Sequence, residues 1–401
     1  MNKSLKIILG IFFIGIIIGA SVFAVFFFIP SKSKSSDDDD DDDDILSPPT
    51  PSLIYVFVNS TIYTNLTSEL SQFKDDIVNQ GFQIQIINTS MAMFPTHDIL
   101  KNNLTVAYYQ NNLIGAIFIG RIFPIYWDYM YYGQQFYTTC DLFYMDLDGQ
   151  WSNSGLKPNI FNSHIAGPGD LYPEIWLANI CPESLTNCNH TELYEKYFER
   201  NHKYRTGQLM RPHKALLYVD DEWSQWINEW KSNLTAYTGN QLDYFYINET
   251  TTASLYKDNL TAIETYELVH LIVHSSNKSH LFGAVPVNNY NPADGIVTSN
   301  DIRNLNTQPL FYSFLACYTC NHTFQDNIAT EYLFSNNTLV VVGDGEPGGL
   351  WMHQPYYDNL KQGKTFGEAY YNWFQNPQLW AGHINELYGM TLLGDPLLTI
   401  F

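Results

Sequence analysis

Short, wholly apolar runs alternate with stretches of helical periodicity from Leu53 onward, and this alternation limits the fold more than any other feature of the sequence. Leu53 to Val58 (LIYVFV) is one such run and has the pattern of a strand buried on both faces. Leu66, Leu70, Phe73 and Ile77 then recur at helical spacing over Leu66 to Gln80, Gly81 closes that helix, and Phe82 to Ile87 reads as the next strand. Strand, helix, strand is the repeating unit of a parallel sheet, and strands buried on both faces need helices on both. The same pattern predicts strands at Leu113 to Ile119, Ile175 to Leu177, Ala215 to Val219, Leu268 to Val273, Leu310 to Ala316, Leu339 to Val342 and Met390 to Ile400. It predicts helices at Thr191 to Tyr204, Trp223 to Asn233 and Phe366 to Phe374. Tyr126 to Asn153, rich in aromatics and turn residues, reads as a hairpin excursion. The expected fold class is α/β, a three-layer sandwich with mainly parallel sheets. Gly207 and Pro212 punctuate the rhythm, which predicts two subdomains, 53–206 and 207–401.

The first 52 residues are of another kind. Ile8 to Ile29 are uncharged and mostly apolar, and a helix of that length spans about 33 Å, the thickness of a bilayer core. A cleaved signal peptide would carry an apolar region of about 7–15 residues ending at small side chains. Here apolar sequence runs on past Ala20 and Ala24, so residues 1–30 read as an uncleaved transmembrane anchor with a short cytoplasmic N-terminus. Residues 31–52, Ser-, Asp- and Pro-rich with the run Asp37 to Asp44, read as a disordered stalk. Lysines flank the anchor on both sides and leave its orientation open. Eleven Asn-x-Ser/Thr sequons, from Asn59 to Asn336, favour an exported body. The expected location is the cell membrane, single-pass, with the C-terminal domain extracellular. The chain has 41 Asp and Glu against 20 Lys and Arg, which argues against a nucleic-acid partner.

In an open α/β sheet, ligands bind beyond the carboxyl ends of the strands. Two reactive side chains stand there: His274 after Leu268 to Val273, and Cys317 after Leu310 to Ala316. If those strands are neighbours, imidazole and thiol share one cleft. A histidine beside a cysteine can take its proton and later protonate a leaving amine. The bland alternatives are a structural cysteine at a strand end and a histidine in a polar loop. His270 and His274 lack the Glu of a His-Glu-x-x-His zinc helix and lie on a strand, so His270 reads as a core histidine. Gly343 to Gly349 lacks the lysine and helix of a phosphate loop and reads as a substrate-side loop.

Further segments carry a family resemblance. Leu271-Ile-Val-His274-Ser-Ser and Phe314-Leu-Ala-Cys317-Tyr-Thr-Cys320 are similar to the two strands of gingipain-type cysteine peptidases that end in the catalytic His and Cys. Leu216-Leu-Tyr-Val-Asp220-Asp221, Asp141-Leu-Phe-Tyr-Met-Asp146-Leu-Asp148-Gly149, Pro173-Glu174-Ile-Trp-Leu and Tyr388-Gly-Met-Thr-Leu-Leu-Gly-Asp395-Pro396 resemble other family segments in the same order. The resemblance implies a caspase-like fold with its catalytic residues in 207–401, and cysteine endopeptidase activity on protein or peptide substrates. It implies His274 as acid/base, Cys317 as nucleophile and Glu174 as the acid that orients the imidazole. Backbone N–H groups at Ser275 and Cys317 would form the oxyanion hole. No cofactor is required for this chemistry. Relatives often carry structural calcium, for which Asp146 and Asp148 are the candidate ligands, although a polar turn explains Asp-x-Asp-Gly equally well.

The pattern is not complete. Ser275 stands where the family has Gly, Cys320 where Gly is common, and Ala178-Asn179 where Gly-Arg is usual. Sequons at Asn277 and Asn321 adjoin the proposed pair. An inactive homologue serving in binding or surface architecture is the alternative expectation. Of the five cysteines, Cys181 and Cys188 are close enough in sequence to pair. Cys317-x-x-Cys320 has the spacing of a redox motif but follows a long strand with no thioredoxin-like surroundings.

Overall fold

The computed structural model describes residues 51–247, 250–263, 265–285, 289–382 and 384–400. The expected anchor and nearly all of the stalk lie outside the described residues. Among the described residues, no helix is long and apolar enough to cross a membrane.

The described body lies within one compact unit, Thr50–Phe401. Its strands are β1 Leu53–Asn59, β2 Gln83–Thr89, β3 Leu113–Ile119, β4 Tyr126–Tyr131, β5 Gln134–Thr139, β6 Gln150–Asn153, β7 Ile160–Ile165, β8 Trp176–Ile180, β9 Ala215–Val219 and β10 Leu242–Phe245. They continue with β11 Leu268–Ile272, β12 His274–Ser276, β13 Ser279–Leu281, β14 Ala284–Val285, β15 Asn289–Tyr290, β16 Ile296–Thr298, β17 Phe311–Leu315, β18 Val340–Asp344 and β19 Met390–Gly394. Ten of them form one sheet in the order β10-β9-β11-β17-β18-β19-β8-β3-β1-β2. Every pairing in it is parallel except β18 with β19. Among the described residues, strands before residue 206 pair with strands after it at one position, Leu393 with Asn179 of β19 and β8.

Alternate residues of each strand face two separate cores. Tyr55 and Phe57 enter one and Ile54, Val56 and Val58 the other. Helices Gln354–Lys361 and Phe366–Phe374 cover the first face, and Thr67–Asn79 and His190–Arg205 the second. This is the three-layer arrangement that the apolar runs imply. Where β3 crosses β8 there is room for glycine alone: a Cβ on Gly115 would stand 2.1 Å from the buried Trp176 ring.

Two expected elements differ. The last strand stops at Gly394 rather than Ile400, because Gly394 adopts φ +100° and Asp395 Oδ1 accepts the Leu397 N–H at 2.9 Å, which turns the chain. The helix expected from Trp223 begins as a 3-10 turn, Asp221–Trp226, and becomes α-helical only over Ile227–Asn233. The hairpin excursion is a small sheet of its own, β5-β4-β7-β6.

Candidate active site

Strands β11 and β17 are parallel neighbours, with Ile272 opposite Leu315. The Val273 N–H donates to the Leu315 carbonyl at 3.3 Å. His274 and Cys317 each stand two residues beyond this last pair. His274 opens the β12–β13 hairpin, whose pairs are His274–Leu281, Ser275–His280 and Ser276–Ser279. Its side chain is 47% exposed, and its Nε2 lies 2.6 Å from Glu222 Oε2. The Trp223 ring leans on the imidazole, with centroids 4.5 Å apart.

Glu222 is on the turn that follows β9, the strand on the other side of β11. Three neighbouring strand ends therefore deliver carboxylate, imidazole and thiol in that order. The turn is held from within: Asp220 Oδ1 accepts the Gly283 N–H at 3.0 Å, and Thr251 donates its hydroxyl to Asp221 Oδ1 at 2.5 Å.

Cys317 is half-buried at the end of β17. Burial pushes its thiol up to about 11, and the charges of Asp344 and Glu386 add to the rise. The N–H groups of Gly348 and of Cys317 itself work against it. A free thiol of this kind is a weak nucleophile at neutral pH until a base takes its proton. Tyr318 follows at φ +62°, an outlier for an aromatic residue, pinned by its N–H to the Glu346 carbonyl at 2.8 Å. The Cys320 N–H donates to the Asp344 carbonyl at 2.8 Å and closes the same turn. Behind it lies Gly349, where a Cβ would stand 2.4 Å from Leu315 Cα. That loop follows β18 and packs directly against the end of β17.

The sequence profile of peptidase family C25 matches residues 93–401. The chain belongs to this family of cysteine-type peptidases. Its fold is gingipain-like. It superposes on the crystal structure of the Arg-specific cysteine proteinase gingipain R (RgpB) with a TM-score of 0.59 at 14% identity, over 88% of this chain and 78% of that one. It superposes on the complex of Porphyromonas gingivalis RgpB pro- and mature domains with a TM-score of 0.60 at 13% identity, over 87% of this chain and 80% of that one. No curated protein matches.

Within this family fold, Glu174 does not stand where the resemblance put it. It precedes β8, which is four strands from β11, so about 19 Å of sheet separates it from the His274 strand. Its Oε2 accepts the Leu147 N–H at 2.5 Å, and it gathers with Asp146 and Asp148, ligand atoms of the three lying within 4.8 Å of one another. Burial first, and then the repulsion of Asp148 and Asp146, pushes Glu174 up to about 8. Asp146 is fully buried, with His164 Nε2 2.5 Å from its Oδ2. Lys101 stands close by and is pushed down to about 8 by burial. The acid at His274 is Glu222, which directly follows the pair Asp220-Asp221 in the sequence.

The Cys181–Cys188 pairing is also corrected. All five cysteines are free thiols. Cys181 is buried beside Glu183, whereas Cys188 is exposed in the field of Arg303, Glu331 and Asp326. Cys320 is buried and free, so no bond joins it to Cys317. Of the sequons, Asn233 and Asn321 are each only 8% exposed, which leaves no room for a glycan on Asn321 beside the cleft. His270 is a core histidine, as expected: fully buried, with Nδ1 2.8 Å from the Tyr357 hydroxyl.

Proposed function

We propose that the chain is an extracellular cysteine endopeptidase, tethered by Ile8 to Ile29, that cleaves peptide bonds with Cys317 as nucleophile and His274 as acid/base. The observation that supports this most is the side-by-side ending of β11 and β17 two residues before His274 and Cys317, with Glu222 already 2.6 Å from the imidazole. Because Nε2 is taken by Glu222, Nδ1 is the nitrogen left for the thiol. His274 Nδ1 takes the Sγ proton as Sγ bonds to the scissile carbonyl carbon. The backbone N–H groups of Ser275 and Cys317 hold the oxyanion while the tetrahedral intermediate lasts. His274 then returns the proton to the leaving amine, the C–N bond breaks, and a thioester remains. Water, deprotonated by the same imidazole, hydrolyses the thioester and restores the thiol. The segments 53–206 and 207–401 act as two subdomains, the second carrying the chemistry. Incubation with a thiol-directed peptidyl inhibitor under reducing conditions with calcium should label Cys317, as read by peptide mass spectrometry. No label and no cleavage of any peptide in a mixed library would remove this reading.

Asp146, Asp148 and Glu174 fit a hard divalent cation, calcium in the first instance: their oxygens converge and one acid is fully buried, with His164 and Lys101 beside them. A bound cation would tie the β5–β6 region to the start of β8. A carboxyl whose folded value is raised stabilises the fold below its unfolded value near 4.5, and that contribution is lost as pH rises through about 8. Without calcium, Tm should therefore fall between pH 5 and 8.5. Millimolar calcium should raise Tm by several degrees at pH 8 and flatten the decline. An unchanged melting curve at both pH values would count against the site.

A further inference from the structure

The β4–β5 hairpin carries a group of aromatic side chains that core packing does not use. Its two-residue loop is Tyr132-Gly133, closed by the pair Tyr131–Gln134. Both loop residues have positive φ, 48° for Tyr132 and 75° for Gly133. That turn favours Asn or Gly at its first position, so a tyrosine there is strained. Nothing in the fold requires the ring: Tyr132 is 90% exposed, and Met130 beside it 66%.

The hairpin also leans toward the nucleophile. The Phe136 and Tyr318 rings have centroids 6.5 Å apart, and Tyr318 is the residue after Cys317. Tyr131 packs edge-on against Tyr132 with centroids 4.5 Å apart, and it lies within the electrostatic reach of both Cys317 and Tyr318. A continuous aromatic strip therefore runs from the exposed hairpin tip to the residue beside the thiol. Of the carboxylates that act on Cys317 or lie behind it, Asp344 is fully buried and Glu346 is 2% exposed, whereas Glu386 is half-buried.

We infer that Tyr131, Tyr132 and Tyr318 are specificity-determining residues that select peptides with an apolar or aromatic side chain within one residue of the scissile bond. This rests on the peptidase reading above. The strip supplies area for stacking and apolar contact.

The test uses the full chain and a peptide library, with cleavage sites read by mass spectrometry, beside Tyr132→Asn and Tyr131→Ala. Asparagine suits the left-handed turn, so Tyr132→Asn keeps the hairpin while removing the ring. Wild type should cut next to Phe, Tyr, Leu or Met. Tyr132→Asn should lower kcat/KM on a Phe-containing peptide tenfold or more, change its Ala counterpart less than twofold, and leave Tm unchanged or higher. Tyr131→Ala should show the same selectivity loss. Cleavage confined to Arg or Lys, or an equal effect of Tyr132→Asn on both peptides, would overturn the inference while leaving the peptidase reading intact. A library that wild type leaves uncut would instead remove the peptidase reading, and this inference with it.

Discussion

Cys317→Ala is expected to lower kcat/KM on any cleaved peptide by at least about 10³-fold, because it removes the assigned nucleophile. The fold should be little affected. Cys317 is half-buried at a strand end rather than in either core, so Tm should stay within about 3 °C of wild type. The free enzyme offers a second reading of the same residue. With the thiol pushed up to about 11, thiolate is scarce at pH 7, and alkylation by a small neutral reagent should accelerate about tenfold per pH unit from 7 to 10. Peptide cleavage should not follow that slope, because proton removal there is assigned to His274. A flat alkylation profile from pH 7 would mean a preformed thiolate–imidazolium pair. Full residual activity in Cys317→Ala would place the nucleophile elsewhere.

The strands were readable in the sequence because burial on both faces leaves few polar residues in the run. Leu216-Leu-Tyr-Val and Leu268-Val-His-Leu-Ile each give themselves away, and with them the positions of His274 and Cys317. What pattern could not show was spatial order. Chain order puts Glu174 ahead of the strands it was assigned to serve, but the sheet order places β8 four strands from β11. Glu222 was adjacent to a recognised acidic pair and was still missed. Three acids in a row, Asp220-Asp221-Glu222, look alike until the 3-10 turn buries the first two and presents the third to His274. The hairpin β12–β13 was hidden for another reason. Its residues, His-Ser-Ser-Asn-Lys-Ser, carry no apolar alternation, and what holds it includes the Ser275 Oγ to His280 Nδ1 contact at 2.7 Å. That same contact shows how serine is accommodated where the resemblance leads one to expect glycine: its hydroxyl is engaged by a buried imidazole.

The two acids can be told apart by experiment. Glu222→Gln keeps the shape of the side chain but removes the charge that fixes the imidazole tautomer and stabilises its protonated form. In a hydrogen-bonded triad such a change costs orders of magnitude in turnover, so kcat should fall by about 10²–10³-fold with KM little changed. The side chains of Glu222 and His274 are both well exposed, at 38% and 47%, so melting should barely move. Glu174→Gln should behave in the opposite sense. It removes one of three crowded carboxylates and leaves the Leu147 N–H an amide oxygen to bond. Activity should stay within a few-fold of wild type, while the calcium-dependent gain in Tm shrinks and the loss of stability above pH 5 weakens. Equal kcat losses in the two variants would mean that Glu174 reaches the imidazole during turnover. That would require a rearrangement across β17, β18, β19 and β8, each buried throughout, a far larger change than the rotation of one glutamate that the Glu222 assignment needs.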